Sequence, residues 1–191
     1  MTTIYKGTGV NMRNFRKTKQ LITFIISVCL LVGIDQFTKY LAETKLKGHS
    51  PFVIIKGVFE FYYYRNTGAA WGIFSGGRII LILFTCMVLI IIAFIVYRTP
   101  NEKKYLPFRC VLILLSAGAT GNLIDRIVNG YVHDFIYFRL IDFPIFNVSD
   151  AYVSVSMFLL IILIFFVYKD DDFKFLSIKK AKKDMGLNGK N

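Results

Sequence analysis

The stretch LITFIISVCLLVGIDQFTKYLA, residues 21–42, decides what kind of fold this chain can adopt. As a helix rising about 1.5 Å per residue it reaches roughly 33 Å, enough to cross the ~30 Å hydrocarbon core of a bilayer. Its first part carries no charge, and Asp35, Gln36 and Lys39 enter only near the end. An ionisable group facing lipid costs a few kcal/mol, so such groups turn toward protein or water and mark a functional path. This helix therefore spans a membrane and delivers polar side chains to one end of that span.

Outward from it, three more apolar runs of spanning length follow, at residues 79–97, 110–128 and 151–168. The sequence predicts a single membrane α-helical domain over 1–191 with four transmembrane helices. The composition agrees, with 55% hydrophobic residues and a mean hydropathy of +0.53 over 191 residues. The net charge of +12 sits in stretches beside the apolar runs. Arg13, Arg16, Lys17 and Lys19 precede the first run, Arg98, Lys103, Lys104 and Arg109 lie between the second and third, and Lys169 with the cluster at 179–183 follows the fourth. Cations in such positions mark cytoplasmic flanks against anionic lipid, and no basic face remains for nucleic acid. Both termini, tails 1–20 and 169–191, are thus expected in the cytoplasm, with segments 43–77 and 129–149 outside. The N-terminal run imitates a signal peptide but lacks a small-residue cleavage pattern, so the first helix is expected to be retained. Cys29, Cys86 and Cys110 lie in apolar runs without ligand spacing and imply neither disulfides nor zinc.

In the first outer segment, Phe52 to Ile55, then Gly57, then Val58 to Tyr64 read as two β-rich runs around a turn. Asn66-Thr67-Gly68-Ala69-Ala70-Trp71-Gly72-Ile73-Phe74 follows, with small residues for close backbone approach and aromatics suited to the interface. A small β-rich cradle on the bilayer surface and an interfacial loop are both compatible with this composition.

The second and fourth helices are uninterrupted, whereas the third carries Thr120, Asn122, Asp125 and Arg126. Asp35 and Lys39, four apart in acid-first order, read first as a structural ion pair. Asn122 and Asp125 share a face, and Arg126 points away toward a headgroup phosphate or a carboxylate. Asp134 lies among apolar neighbours whose burial would raise its pKa, and Asp150 opens the fourth helix, where it could simply cap it. Two carboxylates brought to one surface can instead share a proton, one drawing a proton from water and its partner acting as acid toward an amide. A serine nucleophile with Lys39 as base stays open through Ser75 or Ser149. His49 and His133 are the only histidines and there is no H-E-x-x-H, so no metal is implied. His133 reads as a ligand, a proton relay or, most simply, an interfacial histidine.

Together these blocks resemble lipoprotein signal peptidase, or signal peptidase II, a family of bacterial aspartic membrane peptidases with four transmembrane helices. The resemblance rests on Asp35-Gln36-Phe37-Thr38-Lys39, on Asn66 to Gly72, on Gly118-Ala119-Thr120-Gly121-Asn122-Leu123-Ile124-Asp125-Arg126, on Val132-His133-Asp134-Phe135, and on Phe146-Asn147-Val148-Ser149-Asp150-Ala151, in that order. It implies a catalytic pair at Asp134 and Asp150, with Asp35, Lys39, Asn66, Gly68, Asn122, Asp125, Arg126 and Asn147 lining or bracing the site. It implies no cofactor, a site at the outer face of the bacterial cytoplasmic (inner) membrane, and prolipoprotein substrates cut N-terminal to a diacylglyceryl cysteine. Membrane lipid and the inhibitor globomycin are the other implied partners. His133 stands where the family usually has an apolar residue. Ser149 stands where alanine is usual, and could donate to Asp150. The terminal stretches 1–14 and 170–191 carry no family motif and are expected to be mobile tails. From another class, a small transporter or proton-relay bundle would also use Asp35, Asp125 and Arg126, although no charge continues through the midplane to complete a path.

Overall fold

A computed structural model describes residues 6–68 and 77–177, with side chains from Phe15 onward. The expected roles of 69–75 and of the lysine cluster at 179–183 lie outside the described residues.

Four long apolar helices form the body. They are α1 (Lys6–Leu46), α2 (Arg78–Arg98), α3 (Leu106–Val128) and α4 (Val148–Ile162), the last continued by a π-helical turn at Leu163–Val167. The chain stops and restarts where its chemistry dictates. Pro100 follows the Thr99 cap that ends α2, and Pro107 occupies the first turn of α3, where a missing N–H costs nothing. α3 is central: half of its span is buried, against 6 to 11% of the others. The glycines of α3 explain how α4 approaches so closely. A Cβ on Gly118 would fall 2.5 Å from the Ser149 carbonyl oxygen and 2.7 Å from Val153 Cγ2.

At one end of the bundle sits an antiparallel three-stranded sheet in the order β1 (Phe52–Ile55), β2 (Phe59–Asn66), β3 (Val132–Tyr137). β1 and β2 form the expected hairpin, turning at Gly57, whose φ of +75° is the left-handed conformation that glycine adopts at no steric cost. The bland alternative, a loop without a sheet, is corrected by this pairing. β3 was not foreseen. Val132 to Phe135 are all buried, so the strand lacks the alternation by which a half-exposed strand is read.

The opposite end, rich in Lys and Arg, also departs from expectation. Residues 170–176 are not a loose tail but a short 3-10 segment, Asp170–Leu176, with Phe175 buried against Tyr105 and Phe108. Arg98 Nε and Nη2 donate to the Phe175 carbonyl at 2.8 and 2.6 Å, Tyr105 donates to the Asp172 carbonyl at 2.9 Å, and Lys104 pairs with Asp172 at 2.5 Å. The N-terminal stretch is likewise helical from Lys6, because α1 extends well beyond the apolar run.

The interior is thus divided. Toward the basic end it is apolar, built on Ile92, Val96, Phe108, Val111, Leu112 and Leu163. Toward the sheet it is polar: Asp35, Lys39, Asn122, Asp125, His133, Asp134, Asn147 and Ser149 are all buried.

Candidate active site

The polar half begins with α1. Lys39 Nζ lies 2.9 Å from Asp35 Oδ2, the expected i,i+4 pair, and also 3.3 Å from Asp125 Oδ2 of α3, while donating to Asn122 Oδ1 at 3.0 Å. All four are buried, so this cation is surrounded by acceptors as a charge out of water must be. Gln36, not foreseen as part of the site, donates to Asp35, to Asp125 and to the Gly121 carbonyl, each at 3.2 Å. Gly121 makes the space: a Cβ there would stand 2.5 Å from Asp35 Oδ2. Asp35 Oδ1 reaches across to α4 and accepts the Ser149 backbone N–H at 2.8 Å.

On this platform stand Asp134, from β3, and Asp150, from the first turn of α4. Asn147 joins them. Its Nδ2 donates to Asp134 Oδ1 at 2.6 Å, its Oδ1 accepts the Asp150 N–H at 3.0 Å, and its own N–H donates to Asp150 Oδ2 at 3.1 Å. This reciprocal capping box corrects one expectation: Asn147 is the N-cap and Asp150 the N3 residue that answers it. Asn66 Nδ2 completes Asp134 at 2.9 Å, and Asn122 Nδ2 donates to Asp150 Oδ1 at 2.7 Å. Each carboxylate therefore accepts from two donors, and each retains acceptor capacity for a further ligand. Asp134 is held up to about 7, first by burial and then by the neighbouring charge of Asp150.

Among the described residues, Arg126 bonds backbone carbonyls. It donates to the Gly68 carbonyl at 3.1 Å and to its own helix at Asn122 O, 3.4 Å. Gly68 N–H in turn bonds Asn66 Oδ1 at 3.0 Å, so Arg126 and Asn66 fix the chain just beyond β2. Ser149 does not donate to Asp150, and its buried hydroxyl has no partner among the described residues. Nor is His133 an interfacial ring: it is buried, with its backbone N–H and Nδ1 3.0 and 3.1 Å from Asp125 Oδ2 and its Nε2 3.4 Å from Glu43 Oε2. Glu43 was missed, although Asp35, Lys39 and Glu43 recur every four residues along one face of α1, which is a legible signal.

Asn66, Asn122, Arg126 and Asp150 line a cleft of about 1300 Å³. Its walls are apolar where Phe84, Val88, Leu115 and Val153 face it from α2, α3 and α4, and polar near the sheet, where Glu60 and Arg139 pair at 2.9 Å. An elongated guest with an apolar stretch and a polar backbone would match that division.

The profile of the family described as Signal peptidase (SPase) II matches residues 27–166. A lipoprotein signal peptidase of Enterococcus faecalis is 34% identical over 174 residues, covering 91% of this chain and 99% of its own. One from Clostridium tetani is 39% identical over 153 residues, covering 78% and 95%. Two solved structures described as bacterial membrane enzymes align with TM-scores of 0.67, at 31% identity over 88% of this chain and 93% of the other, and at 34% over 76% and 94%.

Proposed function

Since the chain belongs to the signal peptidase II family, we propose that it removes signal peptides from prolipoproteins by aspartic catalysis at Asp134 and Asp150. The observation that carries the assignment is the Asn147 side chain and backbone bridging these two carboxylates, of which Asp150 lines the cleft. With one proton between them, the ionised member takes a proton from water, whose oxygen attacks the scissile carbonyl carbon. The protonated member then supplies the proton that the departing amine needs. Asn66, Asn122 and Asn147 keep the pair in place, and buried Lys39 offsets part of its negative charge. The reaction is then hydrolysis without a covalent intermediate.

The substrate is a prolipoprotein whose cysteine already carries diacylglycerol, cut on the N-terminal side of that cysteine. Apolar cleft walls support this reading, because signal helix and acyl chains arrive in the bilayer while the peptide backbone meets the polar end. The distribution of Lys and Arg supports cytoplasmic termini and a site at the outer face. The comparisons lend the transporter reading no support.

The test is gel-shift cleavage of a diacylglyceryl-modified prolipoprotein by purified protein in detergent, with and without globomycin. Wild type should cleave and be inhibited. Asp134→Asn and Asp150→Asn should each lose at least about 10²-fold in kcat, the scale of a general acid or base, while remaining folded. Near-normal cleavage by either variant would sink the dyad.

A further inference from the structure

His133 is a buried titratable side chain that this mechanism leaves without a role. It precedes Asp134 on β3, so the two side chains leave opposite faces of the strand. Two carboxylates from two helices face the ring, one of them bonded to it. Asp125 Oδ2 of α3 takes both the His133 N–H and Nδ1, at 3.0 and 3.1 Å, and Glu43 Oε2 of α1 faces Nε2 at 3.4 Å. Rings flank it from the sheet side, with Tyr63 of β2 at 5.9 Å and Tyr131 at 5.0 Å between centroids. Arg65, opposite His133 in register, lies over the Tyr131 ring. Beyond Asp125 stands Lys39, which bonds Asn122, the donor to Asp150. Beyond Glu43 stands Lys47, at 2.7 Å near the surface.

Nδ1 lies within hydrogen-bond reach of Asp125 and Nε2 within ion-pair distance of Glu43, although Nε2 makes no hydrogen bond among the described residues. Such a ring ties β3 to α1 and α3 at the residue beside Asp134. We propose that His133, clamped between Asp125 and Glu43, is a positioning residue for the peptidase reaction. It fixes the strand that presents Asp134 to Asp150. A displacement of about 1 Å at a reacting group can cost 10²-fold in rate, so a clamp at this place acts on kcat.

The inference rests on the proposed peptidase reading, and its test separates the two. Wild type, His133→Phe, His133→Asn, Glu43→Gln and the reference Asp150→Asn are compared with a diacylglyceryl-modified prolipoprotein in detergent. For each, kcat and KM are measured from pH 5 to 9, with thermal unfolding alongside. His133→Phe should lower kcat about tenfold or more with KM within about twofold. His133→Asn keeps a donor toward Asp125 and should recover part of the loss. Glu43→Gln, which removes the carboxylate facing Nε2, should lower kcat in the same direction with KM likewise within about twofold, the split of a group that acts on positioning and not on binding. If wild type cleaves but His133→Phe matches it, or if losses follow the unfolding temperature and His133→Asn recovers none of the kcat, the positioning role is overturned. A folded wild type that cleaves no lipidated substrate would overturn the peptidase reading, and this inference with it.

Discussion

Asp134 carries a prediction that follows from its surroundings. Burial, then the charge of Asp150, hold it at about 7, so the singly protonated pair persists below that pH and is lost above it. Cleavage should therefore fall as pH rises through about 7, with an alkaline limb approaching tenfold per pH unit in kcat. The same shift has a thermodynamic face. A carboxyl that binds its proton more tightly folded than unfolded adds stability that is complete below its ordinary pKa and lost as pH rises to the folded value. Between pH 4 and 8 the wild-type unfolding temperature should decline more steeply than that of Asp134→Asn; parallel curves would deny the shift. At this scale sequence was informative about which polar residues gather at one end of the bundle and less so about whom they touch. The Asp35–Lys39 pair follows from helical spacing alone. That Arg126 holds the Gly68 carbonyl, or that His133 bonds Asp125, depends on contacts between elements that spacing does not encode.

Among the elements, α3 does most to bring the site together, and its glycines are where a small change has a large effect. Gly121 lies against both Asp35 and Ser149, and a methyl there must displace a buried carboxylate bonded to Lys39, Gln36 and the Ser149 N–H. Gly121→Ala is expected to destabilise the protein by about 1–3 kcal/mol, the usual cost of overpacking. Cleavage should fall further than unfolding at the assay temperature explains, and a variant with wild-type unfolding temperature and kcat would refute this. The helices and the first hairpin were readable because their signals are local: long apolar runs, and a glycine between β-rich runs. β3 was hidden because burial on both faces erases alternation, and the α4 cap was misassigned because Asn147 and Asp150 both suit a helix start. Only backbone geometry distinguishes the cap from the residue that answers it.

For the molecule as a whole, apolar packing and the proposed chemistry are drawn from opposite ends. Buried charge crowds the sheet end, where each partner removed leaves an unpaired ion, while the aromatic staple at the basic end supplies apolar packing. Phe175→Ala should cost about 3–5 kcal/mol, the scale for a buried Phe cut to Ala, and lower the unfolding temperature. At a temperature where the variant stays folded, kcat and KM should equal those of wild type; a selective loss of kcat would mean that the two ends are coupled. The match to the family ends at residue 166, whereas Tyr168, Phe173 and Phe175 come after it. A chain trimmed to residues 27–166 would keep the proposed catalytic residues and leave Tyr105 and Phe108 uncovered, so the stretch that matches the family profile is shorter than the stretch that packs as one body.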